Sequence, residues 1–144
     1  MVKAIFVNLP VKDLEVSKRF FTEIGYSIDQ KYTDDTAACV VFSDTIYAML
    51  LTEKKFAEFT DRPIVDAKAG TEAILALGVE SREKVDEIAE KAVTAGGSKA
   101  GDPQDYGFMY FRAFHDPDGH LWEVLWTDPA MDQESSGNPS QSGR

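Results

Sequence analysis

Apolar and polar positions run through this chain in two rounds of the same order. Ala4, Ile5, Phe6, Val7 and Leu9 make an apolar run closed by Pro10, which predicts a strand over 3–10. Asp13 stands where an N-cap belongs and Glu15 favours a first turn, so a helix is expected to Ile24, with Gly25 as its stop. Val16, Phe20, Phe21 and Ile24 give that helix one apolar face. A strand over 26–32 and a turn at 33–36 should follow, then apolar strands 37–42 and 46–52 around the tight Ser43-Asp44-Thr45 hairpin.

A polar stretch with a short helix over 54–59, ended by Pro63, separates the rounds. The second round opens with a strand over 72–80. Ser81 then caps a helix to Ala95, whose Val85, Ile88, Ala89, Ala92 and Val93 fall at i, i+3, i+4, i+7 and i+8. Gly96-Gly97 stops it. A short strand near 98–100, a loop over 101–105 and a hairpin of 106–115 with 120–128 complete the order. The reading is α+β: two tandem βαβββ modules in one domain over 1–128, with module one at 1–53, a connector at 54–71 and module two at 72–128. From residue 129 the composition turns to Ser, Gly, Gln, Asn and Pro, so 129–144 is expected to be a disordered tail.

The stretch from His115 to Trp126 carries the most chemistry. Asp116-Pro117-Asp118-Gly119 has the type I turn pattern, and alternation beyond it puts Trp122, Val124 and Trp126 on one face and Leu121, Glu123 and Leu125 on the other. A carboxylate between two leucines must be hydrogen-bonded, paired, metal-bound or neutralised. Two loop geometries compete. A three-residue loop with Gly119 left-handed pairs Asp116 with His120 and Ala113 with Glu123, leaving room beside the acid. A four-residue loop pairs Arg112 with Glu123 instead, but makes Asp116 helical before a proline, which is disfavoured. The first register is expected.

Composition narrows the function. Of 144 residues 43% are hydrophobic, enough for a real core, and the net charge of −10 repels phosphate backbones and anionic lipid. Nucleic-acid and membrane-surface partners are therefore not expected. The lone Cys39 allows no intrachain disulfide and, mid-strand between Ala38 and Val40, reads as a buried hydrophobe. Nothing near the N-terminus reads as a signal peptide, so the expectation is a cytoplasmic protein.

The order of elements, Val7-Asn8-Leu9-Pro10-Val11-Lys12-Asp13-Leu14, Phe20-Phe21-x-x-x-Gly25, Ala95-Gly96-Gly97 and Asp116-Pro117-Asp118-Gly119-His120-x-x-Glu123 together resemble the vicinal oxygen chelate superfamily of glyoxalase I, bleomycin-resistance proteins and extradiol dioxygenases. Within the superfamily the chain resembles the small bacterial proteins often labelled predicted lactoylglutathione lyases. The resemblance implies an incomplete barrel with a central cavity, homodimers, and in some members a divalent metal at four strand positions. Here those positions fall on Phe6, near Leu50 (with Met49 and Leu51 beside it), on Ile74 and on Glu123. One carboxylate does not hold a divalent ion against water, so no metal or other cofactor is expected. A cluster of His115, His120 and Glu123, or help from Glu72, is the alternative.

Two function classes remain. One is a metal-free binding protein holding an apolar or aromatic small molecule against Phe6, Leu50, Ile74, Phe111, Ala113 and Glu123. The other is a glyoxalase-like lyase or isomerase in which Glu123 is the catalytic base. Against both stand blander readings. Glu123 could be a hydrogen-bonded remnant of a metal site. The Trp122/Val124/Trp126 stripe could be plain core, the dense Tyr106–Phe111 aromatics could line core or pocket, and the two histidines could merely stabilise the turn.

Overall fold

Each half of the chain buries one face of a small sheet beneath one helix. The computed structural model describes residues 1–131; the rest of the expected disordered tail, 132–144, lies outside the described residues. Strand β1 (Ile5–Val11), helix α1 (Leu14–Glu23) and strands β2 (Ser27–Asp29), β3 (Ala37–Val41) and β4 (Ile46–Thr52) form the first unit. Its sheet has the order β1-β4-β3-β2, with β1 parallel to β4. A connector with the one-turn helix α2 (Glu53–Phe56) leads to β5 (Ile74–Gly78), α3 (Arg82–Thr94), β6 (Ser98–Lys99), β7 (Gln104–Asp105), β8 (Met109–His115) and β9 (Leu121–Thr127). The second sheet runs β5-β9-β8-β6, again with a parallel first strand. Both sheets are open, and the α+β class with two βαβββ units is what forms. Among the described residues no helix is long and apolar enough to cross a membrane.

The departures from the pattern have local causes. Pro10 does not close β1, which pairs through Val11 on one side only; an edge strand does not need every N–H. The expected strand 26–32 shortens to three residues because Asp29 caps a single 3-10 turn over Gln30–Tyr32. The loop expected over 101–105 ends in β7, which follows β6 along the same edge of β8 as one interrupted strand. Arg82 pins that piece with a bidentate pair to Asp105 at 2.9 and 3.0 Å. At the start of the expected tail Ala130 N donates to the Asp128 carboxylate and Met131 N to Asp128 O, at 2.9 Å each.

Helix placement follows from caps and apolar spacing. The Asp13 carboxylate accepts from Val16 N and the Ser81 hydroxyl from Lys84 N, satisfying orphan amides of α1 and α3. The buried faces carry Phe20, Phe21 and Ile24 on α1, and Val85, Ile88, Ala89 and Ala92 on α3. They meet Ala48, Leu50, Phe114, Trp122 and Val124 in one core shared by both halves, where the Phe21 and Trp122 rings lie 5.3 Å apart. Burying each of the larger side chains contributes about 1.5–3 kcal/mol. Cys39 sits in β3 at 1% exposure, and burial pushes its thiol up, as fits a packing residue.

The two halves are also clasped by the turn between β8 and β9. Asp116 N donates to His120 O, Gly119 N donates to Asp116 O, and Gly119 has φ +95°, so the loop is Pro117, Asp118 and Gly119 as expected. The buried Asp116 carboxylate accepts from Asp118 N, His120 N and Trp122 Nε1 at 3.0–3.1 Å. Asp118 accepts from Lys12 N and the Ser17 hydroxyl, and His120 Nε2 lies 2.8 Å from Pro10 O. A carbonyl only accepts, so His120 Nε2 carries the proton.

Three measurements check this account. Asp116→Ala strands the buried Trp122 indole N–H, which alone should cost about 1–3 kcal/mol in urea unfolding. Gly97→Ala would place a Cβ 2.4 Å from His115 O and 2.9 Å from Ala92 O, both backbone atoms, and should cost about 1–3 kcal/mol by the same assay. The third concerns acid. Hydrogen bonds from Arg82, then from Gly107 N, hold Asp105 down at about 2, and the Tyr110 hydroxyl with Arg112 lowers Asp86. Because the folded values lie below the unfolded one near 3.9, this stability is complete above that pH and lost as pH falls toward 2. The stability gap between wild type and Asp105→Asn should therefore shrink as urea unfolding is repeated from pH 7 down to pH 2.5.

Candidate functional site

Strand parity divides every sheet residue between the helix-covered core and the open face. Trp122 and Val124 point to the core, so Leu121, Glu123 and Leu125 lie on the opposite face of β9. The register pairs Glu123 with Ala113 on β8 and Ala76 on β5, and Phe111 with Leu125. The expected register thus holds, and the half-buried acid stands between two alanines, with space on either side. Ile74, paired with Leu121, shares this face by parity and is 55% exposed. Among the described residues Glu123 has no hydrogen-bond or ion-pair partner. Arg112, the partner in the competing register, instead donates to Asp86 at 3.0 Å and Glu90 at 3.4 Å across the α3 side.

Ile74, Phe111, Ala113 and Glu123 are therefore brought together, whereas the other two residues singled out from sequence are not part of that group. Phe6 lies on the open face of the first sheet, stacked on Tyr47 with ring centroids 4.8 Å apart. Leu50 is a correction: it pairs with Leu9, is fully buried in the core and lines nothing. One residue of parity separates it from Met49 and Leu51, which carry the open-face positions of β4. Two residues on the Glu123 face were missed. Ala76 was legible from alternation along β5. Tyr106, 6.3 Å from Phe111, was visible only as one of a dense aromatic run, because its place depends on the β7–β8 hairpin. From that same run Tyr110 turns to the helix side and donates to Asp86 at 2.6 Å.

The donor set does not fit a divalent metal. Phe6, Met49, Leu51 and Ile74 offer no hard donor atom, and Glu123 supplies one carboxylate where a site needs three or more protein ligands. The histidines do not rescue it. His120 is committed to Pro10 O, and His115 lines a separate cavity of about 480 Å³ beside Gly96 and Asp116. Among the described residues no group of three His, Cys, Asp or Glu side chains could hold a metal ion. What Glu123 can do unaided is accept a hydrogen bond or a proton.

A larger cavity, about 550 Å³, lies elsewhere: at the seam between the β1 edge and the start of β5, under the connector. It is walled by residues 7–10, by connector residues between 56 and 73, and by Leu75 and Leu121. None of Phe6, Leu50, Ile74, Phe111, Ala113 and Glu123 lines it. Glu72 does.

Known proteins share this architecture. Hypothetical protein SA1046 of S. aureus is 26% identical, superposes with a TM-score of 0.74, and the match covers 88% of this chain and 94% of that one. A glyoxalase-related enzyme from Fulvimarina pelagi, 20% identical with a TM-score of 0.75, matches over 88% of this chain and 89% of its own. The fosfomycin resistance protein FosX from Mesorhizobium loti, 15% identical with a TM-score of 0.66, matches over 92% and 99%. No curated protein matches. The family model described as Glyoxalase/Bleomycin resistance protein/Dioxygenase superfamily matches residues 4–124. With its two βαβββ units, shared core and open sheet faces, the chain belongs to the glyoxalase/bleomycin resistance protein/dioxygenase superfamily.

Proposed function

We propose that this chain is a metal-free binding protein that holds an apolar or aromatic small molecule on the open face of its second sheet, beside Glu123. The observation that carries the reading is the setting of that acid: unpartnered among the described residues, flanked by Ala76 and Ala113, on a face with Phe111, Leu125 and Ile74. The apolar side chains offer contact area and the carboxylate fixes orientation by accepting one hydrogen bond from the ligand. The partner is a small molecule rather than nucleic acid or membrane, in keeping with the net charge of −10. The free, buried Cys39 suits the cytoplasm.

A second copy of the chain completes the site in this proposal. Phe6 at 53% and Ile74 at 55% exposure leave apolar surface on both open faces, which a homodimer would cover. The second reading, a lyase or isomerase with Glu123 as base, draws on the same free carboxylate. A lone general base contributes roughly 10²–10⁴-fold, and this donor set provides no electrophile to go with it.

Three experiments test these points. A thermal-shift screen with aromatic metabolites should return ligands whose affinity falls about tenfold in Glu123→Gln and more in Ala113→Leu, which fills the space beside the acid. A lactoylglutathione lyase assay with added Ni²⁺, Zn²⁺ or Co²⁺ should show no turnover; one metal per chain with turnover abolished by Glu123→Gln would establish the enzyme instead. Sedimentation velocity should give a dimer that Phe6→Glu dissociates, and a monomeric wild type would remove the second copy from the proposal.

A further inference from the structure

We propose that the seam cavity is a second binding site, lined by none of Glu123, Ala113 and Phe111, and that it takes a monocarboxylate with an apolar body. The cavity, about 550 Å³, falls within the range of small-ligand sites, roughly 300–1,000 Å³. Its walls are mainly apolar, with Leu9, Leu75 and Leu121 from the strands and Phe56, Ile64 and Val65 from the connector. Such walls exclude a ligand that is polar all round.

The charges select the head group. Among the described residues Arg62 is the only arginine or lysine lining the cavity and makes no ion pair, whereas Arg82 and Arg112 are each committed to an aspartate. Arg62 N donates to the Thr60 hydroxyl at 3.1 Å, and Pro63 disfavours a helical backbone at Arg62. A guanidinium matches a carboxylate bidentately. Glu72 lines the same cavity and the chain carries a net −10, so one arginine suits one negative charge. A phosphate monoester, with about −1.5 to −2, would be repelled.

The test titrates 1-naphthoate, and separately the neutral 1-naphthalenemethanol, into the full chain labelled with ¹⁵N. Naphthoate should shift the amides of residues 60–73 and 7–10 but not those of 111–113 and 123. It should bind about tenfold more tightly than the alcohol, and Arg62→Gln should abolish that preference while the alcohol binds both proteins equally. Equal affinity for acid and alcohol, an Arg62→Gln variant that keeps the preference, shifts centred on Glu123, or no shifts at all would each overturn the proposal. Ile64→Trp, which fills the cavity from a connector position, should weaken both ligands; unchanged binding there would equally overturn it.

Discussion

A buried carboxylate with three donors holds this molecule in register. Asp116 is 5% exposed, and burial pushes its carboxyl up, yet Asp118 N, His120 N and the Trp122 indole converge on it. Those contacts do two things at once. They shape a three-residue loop and they anchor the largest fully buried side chain, Trp122, against Phe21 and Phe42. The same loop carries Asp118 and His120 to the start of α1 and the end of β1. Turn, core and inter-module contact thus depend on one side chain.

The consequence for chemistry is geometric. Side chains on a strand alternate, so once Trp122 is fixed inward Glu123 must point outward, and the loop length decides that Ala113 rather than Arg112 sits opposite it. A longer loop would have buried the acid in an ion pair. Instead Arg112 is drawn to Asp86 on α3, and Glu123 keeps an accessible carboxylate among small and aromatic neighbours. The same alternation sends Leu50 into the core and puts Met49 and Leu51 on the opposite face of β4, where neither side chain offers a hard donor atom.

Electrostatics follow burial. Asp105, on the surface, is lowered by the fork of Arg82, whose guanidinium also lies 5.2 Å from the Tyr110 ring and 4.9 Å from that of Trp126. Asp116, in the interior, is raised because desolvation outweighs its donors. One acid tethers a peripheral strand and the other organises the centre. At the seam the chain leaves a cavity whose one arginine among the described residues, Arg62, comes from the connector.

Local sequence determined most of the architecture: caps at Asp13 and Ser81, glycine stops at Gly25 and Gly96, the stripe from Val85 to Ala92, and the Asp116–Gly119 turn all act within a few residues. The placement of Glu123, Ala113 and Phe111 on one face was legible for the same reason, since alternation and loop length are short-range. Ile74 was indicated only by the family resemblance, because β5 pairs with β9 more than forty residues away. Tertiary structure decided the rest. Leu50 could not be placed because one residue of parity in β4 is set by its pairing with β1, more than thirty residues away. β7 forms by pairing with β8, and Arg82, on another element, holds its Asp105. The seam cavity exists only because β1, β5 and the connector meet, and no periodicity in the chain encodes a gap between elements so far apart in sequence.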